Sequence, residues 1–183
     1  RVMRAPYGKE WMDARNNVGT CGVMQAAQFA KYTGNREVLD FCRERYQTVL
    51  LPGQMDTDGS FPLELARTKP YGYSLFNLDA MATVCHILSD DTNNLWQYTT
   101  KDGRNMQKGV AWLCPYIKDK SAWPFEKDVM YWDEWPVAHT ALLFSVCDTP
   151  DEDYFSLWSE LEHFPENDEV IRNFPLRHPL LWL

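Results

Sequence analysis

Apolar positions recur with a helical period in six stretches of the chain, and strand-like alternation is weak throughout. In the first stretch Val23, Ala26, Ala27 and Ala30 share one face; Thr20 is placed to cap a helix over 20–32, and Gly34 to stop it. The second covers about 37–50, with Val38, Phe41, Cys42, Tyr46 and Val49 on one side, and Pro52–Gly53 ends it. The third, 74–89, opens on the apolar run Leu75, Phe76, Leu78, Met81 and Ala82. A fourth spans 105–118, where Pro115 kinks or shortens it, and a fifth 136–147. The sixth, 151–163, carries acidic residues in its first turn, as the helix dipole favours. The terminal RHPLLWL is apolar and is expected to pack down. Helices in successive pairs form antiparallel hairpins, and hairpins of this kind curve into a ring whose inner helix ends and loops make a cleft. The expected fold is all-α: antiparallel helical hairpins forming part of an (α/α) toroid. Nothing marks a second domain, so residues 1–183 read as one all-α domain.

Composition narrows the class. A hydrophobic share of 45%, an aromatic share of 14% and eight Trp describe a chain with a real core. Its apolar runs are short and interrupted, so no membrane span is expected. The net charge of −8 argues against a nucleic-acid partner. Cys21, Cys42, Cys85, Cys114 and Cys147 each sit among apolar residues and read as buried small hydrophobes. His86, His139, His163 and His178 are scattered, and no CxxC, HExxH or EF-hand loop occurs, so no metal is expected. No signal peptide is visible, and Arg1 in the place of a Met reads as a fragment or a processed product.

The chemistry concentrates in residues 58–79, DGSFPLELARTKPYGYSLFNLD. Glu64, Arg67, Lys69, Tyr71 and Tyr73 crowd together ahead of an apolar helix. Cations beside tyrosines suit an acidic sugar: charge for the carboxylate, phenols for proton transfer and ring contact. A chain of net charge −8 meets a polyanion only through a local cationic cluster, for which Arg4, Arg15, Arg67 and Lys69 are the candidates. Plainer readings stand beside this one. Tyr73 equally suits a packed aromatic at a helix start, and Arg67 a partner for Glu64 three residues earlier. Asn16 and Asn17 suit a turn ahead of a helix as well as a site. In 129–135, VMYWDEW, the rings of Tyr131, Trp132 and Trp135 beside Asp133 and Glu134 fit a sugar-stacking platform or simply core. Asp56, Asp58, Asp133 and Glu134 leave open the paired carboxylates of a glycoside hydrolase. The acidic run 148–153 reads as a solvated helix start.

Two blocks, NNVGTCGVMQAAQFAKYTGN and DGSFPLELARTKPYGYSLFNLDA, resemble the alginate-lyase-like polysaccharide lyases, uronate lyases with an α/α-toroid fold. The later DGRNMQKGVAWLCPYI and DVMYWDEWPV resemble downstream parts of the same domain, so the likeness runs over about residues 9–146 and covers the C-terminal half of such a domain. The resemblance implies β-elimination from a uronic-acid glycan such as alginate, with no cofactor and with an acidic polysaccharide or oligosaccharide as partner. The C5 proton becomes removable once the neighbouring carboxylate is neutralised, and a tyrosine then moves the proton. Carried over by position, Tyr73, Arg67 and Asn17 are the catalytic set, Tyr73 moving the proton while Arg67 and Asn17 assist electrostatically. A tyrosine titrates at ~10 unless a neighbouring cation favours the phenolate. Asn16, Glu64, Lys69, Tyr71, Trp132 and Trp135 form the substrate-binding set, with Glu64 orienting Arg67 and Tyr71 the alternative to Tyr73 if the register differs. One position departs from the pattern. The family's NNHG is NNVG here, and Val18 neither takes up a proton nor neutralises a carboxylate. An impaired lyase that still binds glycan is therefore an alternative, as is a hydrolase on the same scaffold. The resemblance also implies secretion or a periplasmic location. Half a toroid exposes a face, which implies self-association or a missing N-terminal segment.

Overall fold

In the computed structural model, which describes residues 6–148 and 152–183, all regular structure is helical apart from a lone bridge between Asp90 and Asn93. Helix α1 (Pro6–Asp13) leads into α2 (Asn17–Thr33). Asn16 caps α2 in an extended conformation, its side chain accepting from the Val18 N–H, so the helix opens one turn before Thr20. Thr20 is buried inside it and caps nothing. Gly34 ends α2 in the left-handed region (φ 67°), the Asn35 N–H reaches back to the Ala30 carbonyl (2.9 Å), and Asn35 caps the next helix through Val38. Two residues thus turn the chain into a hairpin.

Helix α3 (Arg36–Arg45) continues without a break through a wider π turn (Tyr46–Leu50) into α4 (Leu51–Gln54). Pro52 does not end the helix, because it falls at the start of α4, where a missing N–H costs no bond. The extra turn brings Gln54 into the interior. Phe41, expected on the buried face, is exposed; Cys42 and Tyr46 are buried as expected, and Leu50 and Leu51 pack beside them.

Helix α5 (Pro62–Leu65) is one turn. Helix α6 (Pro70–Leu88) is the centre of the molecule, touching α2, α3, α5, α7 and α8. Only Tyr73, Phe76 and His86 of its 19 residues escape full burial, as an all-round apolar helix requires. It starts four residues before the expected boundary, with Pro70 in its first turn. Its cap comes from far away: the Asp128 carboxylate accepts from the N–H groups of Tyr71 (2.8 Å) and Gly72 (2.9 Å). A side chain at Gly72 would meet that carboxylate at 2.9 Å and the Trp135 indole nitrogen at 2.8 Å.

Helix α7 (Met106–Lys118) is capped by Asn105 and keeps Pro115 within it. Helix α8 (Thr140–Asp148) starts after the expected boundary, Pro136 lying ahead of it in a cis peptide. Helices α9 (Glu152–Glu160) and α10 (Asp168–Arg172) complete the set. One contiguous core runs from Met12 to Phe174. The C-terminus packs only in part: Trp182 lies against the core and its carbonyl meets His86 Nε2 at 2.9 Å, whereas Leu180, Leu181 and Leu183 are exposed. Cys42, Cys85 and Cys114 are buried as expected, Cys21 is half-buried, and Cys147 is exposed, against expectation. No helix among the described residues is long and apolar enough to cross a membrane.

Candidate active site

The site is built outward from one buried carboxylate. Glu64, on the one-turn helix α5, is 1% exposed and stands at the N-terminus of α2. It accepts from the Asn17 backbone N–H (2.6 Å), from Asn17 Nδ2 (3.1 Å) and from Arg67 Nη1 (3.0 Å). Burial pushes the Glu64 carboxyl above its ordinary range, and the Asn17 N–H and the Arg67 guanidinium oppose that rise. Burial, helped by the Glu64 charge, lifts the neighbouring Cys21 thiol to about 12.

Arg67 turns from Glu64 to lie over the face of Tyr73, its Cζ 3.6 Å from the ring centroid. Both Arg67 and Tyr73 remain half-exposed. The result is a chain of contacts, Asn17–Glu64–Arg67–Tyr73, dry at one end and wet at the other. The Lys69 ammonium lies 4.9 Å from the Tyr73 centroid and 5.1 Å from that of Tyr131.

A second buried cluster fixes the start of α2. Gln54 Nε2 donates to the Asn16 carbonyl (3.0 Å), and Asn77 Nδ2 donates to Gln54 Oε1 (2.9 Å). The Thr20 hydroxyl lies 3.0 Å from Gln54 Oε1 and 2.8 Å from Asn77 Oδ1. Helices α2, α4 and α6 are pinned together beneath Asn17, so its amide has little freedom.

The remaining candidates lie elsewhere. Tyr71 and Tyr73 both sit in the first turn of α6, two residues and therefore roughly 200° apart around the helix. Tyr71 points inward and is fully buried, donates its hydroxyl to the Tyr116 carbonyl (2.9 Å) and meets Trp123 edge-on. Burial, with the Asp128 charge, raises its phenol well above the ordinary tyrosine range. The structure does not bring it to Arg67. Asn16 acts as the cap of α2. Trp135 is buried and stacks on His139, so it offers no open face to a sugar. Trp132 is half-buried with the Lys120 and Lys127 ammonium groups near its ring, at 5.0 and 5.5 Å. Arg15 is exposed, and Arg4 lies outside the described residues. Asp56, Asp133 and Glu134 are exposed; Asp58 has its carboxyl below the ordinary value, although burial opposes that, because it accepts from Ser60. A glycosidase acid needs the opposite shift. The helix start expected over 148–153 falls partly outside the described residues. Among the described residues no group of three or more His, Cys, Asp or Glu side chains is arranged to hold a metal ion.

Three features of this site escape a reading of the sequence: Gln54, the Asp128 cap, and the contact of Lys69 with Glu169, 100 residues on. None has a local signal.

The family model described as Alginate lyase matches residues 1–123. No curated protein matches. Among solved structures, an alginate lyase from Bacteroides ovatus superposes with a TM-score of 0.78 at 30% sequence identity, covering 94% of this chain and 46% of that one. The chain thus spans less than half the length of that relative. By the match over residues 1–123 and the shared structure, the chain belongs to the alginate lyase family.

Proposed function

We propose that this chain carries the proton-transfer part of a polysaccharide lyase site and cleaves a uronate-containing glycan, alginate-like in its chemistry, by β-elimination. The observation that carries the reading is the contact chain from Glu64 through Arg67 to Tyr73. A buried carboxylate holds a guanidinium against a half-exposed phenol, and the same carboxylate holds the Asn17 amide.

In this mechanism the uronate carboxylate is neutralised by Arg67, through N–H groups not given to Glu64, and by the second amide hydrogen of Asn17. Neutralisation lets the C5–H bond release its proton and leave its electron pair between C5 and C4. Tyr73, as the phenolate beneath the Arg67 guanidinium, accepts the C5 proton. The C4–O4 bond then breaks and its oxygen recovers a proton from the phenol. The products are a new non-reducing end with a C4–C5 double bond and a free hydroxyl at the former leaving group, and Tyr73 is back in its starting state. Val18 is 43% exposed in the first turn of α2 and has no acid–base chemistry, so both transfers fall to one residue on one face of the sugar.

The reading extends to the setting. Residues 1–183 would be the C-terminal part of a larger α/α-toroid domain, the substrate an acidic polysaccharide or oligosaccharide, and the location secreted or periplasmic. Phe29 and Tyr32 stand exposed along α2, an apolar strip suited to the rest of such a toroid or to a second copy.

The exposed Val18, which has no acid–base chemistry, favours one second reading, a glycan-binding domain without turnover. The deciding experiment presents alginate, glucuronan and glycosaminoglycans and follows ultraviolet absorbance of the unsaturated product. A rise with one polymer, absent in Tyr73→Phe, supports the lyase. Glycan binding with no rise supports the binding domain, and reducing ends released without a rise overturn both.

A further inference from the structure

The segment beyond the family match reaches back to the site at two points, and both converge on Lys69. Helix α10 is a single turn and a half, yet it is firmly placed: Asn167 caps it by accepting from the N–H groups of Glu169 (2.9 Å) and Val170 (3.5 Å), and Val170 and Phe174 are in the core. Its Glu169 is buried, and its carboxylate is set by neighbours on the same turn, Arg172 on one oxygen and Asn173 Nδ2 (3.1 Å) on the other. That second oxygen accepts from the Lys69 ammonium. The second approach is the 128–131 segment. Asp128 is fastened to the start of α6, and the Val129 N–H donates to the Thr68 carbonyl (3.1 Å). Tyr131 then takes the left-handed conformation (φ 63°), unusual for an aromatic residue, and this places its ring 5.1 Å from the same ammonium.

We propose that Glu169 is a positioning residue of the uronate site, holding the Lys69 ammonium between the rings of Tyr73 and Tyr131. A lysine has a flexible four-carbon stem and a single mobile charge, so without an anchor its head would sample water. Anchored, it places a second cation beside the phenol that Arg67 covers, ready for a neighbouring uronate carboxylate. A buried ion pair is a weak source of stability, which makes its place beside Tyr73 the more telling observation. The role of Lys69 toward substrate rests on the lyase reading; the holding of Lys69 by Glu169 does not.

The test has two arms. In protein labelled with ¹³C-lysine, the Lys69 ε-methylene, assigned by its loss in Lys69→Met, is expected upfield of other lysines because two rings flank it. Glu169→Gln returns it toward the other lysines, and Glu169→Asp restores part of the displacement. An unmoved signal in a folded Glu169→Gln protein overturns the proposal, whatever the enzyme does. The second arm is a double-mutant cycle on the polymer that gives turnover. Lys69→Met and Glu169→Gln each raise KM about tenfold with kcat within about twofold, and Glu169→Gln adds nothing in the Lys69→Met background. An equal effect in both backgrounds marks Glu169 as merely structural and overturns it. If the unaltered protein turns over no polymer, the lyase reading fails and the methylene signal alone decides the positioning role.

Discussion

Two buried carboxylate clusters, one on α5 and one on α6, differ in what they hold. On α5 Glu64 binds Asn17 and Arg67, and the contacts run outward to Tyr73. In the middle of α6 Asp79 meets His139 Nδ1 (2.8 Å) and accepts from the Ala141 N–H (2.9 Å). An acid beside an imidazole looks more like catalytic machinery than an acid beside an amide. Yet Asp79 and His139 are 0% and 1% exposed, Trp135 stacks on the ring, and the other ring nitrogen faces the Val137 N–H at 3.4 Å. Neither nitrogen is open to a substrate. The pair ties α8 to α6, whereas Glu64 uses the same burial to aim groups that solvent can reach. Burial of an anchor matters to chemistry only when something attached to it remains accessible.

The sharpest break between the two clusters comes from Tyr73→Phe. Removing one half-exposed hydroxyl should cost about 10³-fold in kcat, or about 4 kcal/mol of barrier, with the unfolding midpoint in urea unchanged. An intact rate would assign proton transfer elsewhere. Asp79→Ala should do the reverse. It leaves His139 and the Ala141 N–H without their partner in a sealed interior, at a cost of about 3 kcal/mol in unfolding free energy. Turnover per folded molecule should stay within about twofold at low temperature. A selective loss of turnover in a stable Asp79→Ala protein would show that the sealed pair communicates with the site.

How far this distinction is legible in the sequence depends on distance along the chain. The ten-residue stretch from Glu64 to Tyr73 announces its chemistry, because α5 and the first turn of α6 bring near neighbours together. Helical period locates helices such as α2 because they bury one stripe, and Gly34 marks the stop of α2 correctly through its left-handed conformation. The start of α6 is missed because its cap, Asp128, lies 57 residues from Tyr71. That error of one turn is what left Tyr71 and Tyr73 interchangeable; helical phase separates them at once. The contact of Asn17 with Glu64 spans 47 residues and has no local signal; family resemblance puts both residues in the site but not in contact. Glu169 had neither a local pattern nor a resemblance to point to it.

A subtler separation comes from pH. The folded pKa of Glu64 lies above its ordinary value of 4.5, chiefly through burial. The folded state therefore keeps its proton to higher pH than the unfolded chain does. Its stabilising contribution is complete below the unfolded pKa and is lost as pH rises through the folded one. Activity should move the other way, because ionised Glu64 grips Arg67 and Asn17 more firmly than the neutral acid. Glu64→Gln should lower kcat/KM by roughly tenfold to a hundredfold, remove the acid limb of the rate profile above pH 4.5, and flatten stability across that window. An acid limb that persists in Glu64→Gln would belong to another group.

The smallest expected effect falls at the edge of the active cluster. Val18 follows Asn17 in the first turn of α2 and is 43% exposed, so Val18→His meets no packing constraint and should change unfolding free energy by less than about 0.5 kcal/mol. Its influence on rate depends on which face of the sugar carries the proton. If Tyr73 performs both transfers, an imidazole at this position adds at most a further neutralising group, and turnover should rise by no more than about tenfold without a change in the product. An imidazole able to act as base from the face opposite Tyr73 would instead admit uronates of the other C5 configuration. Assaying Val18→His on polymers of both configurations separates the two: a gain confined to the original substrate keeps the reaction on Tyr73, and turnover of the epimer in Val18→His/Tyr73→Phe would move the base to α2.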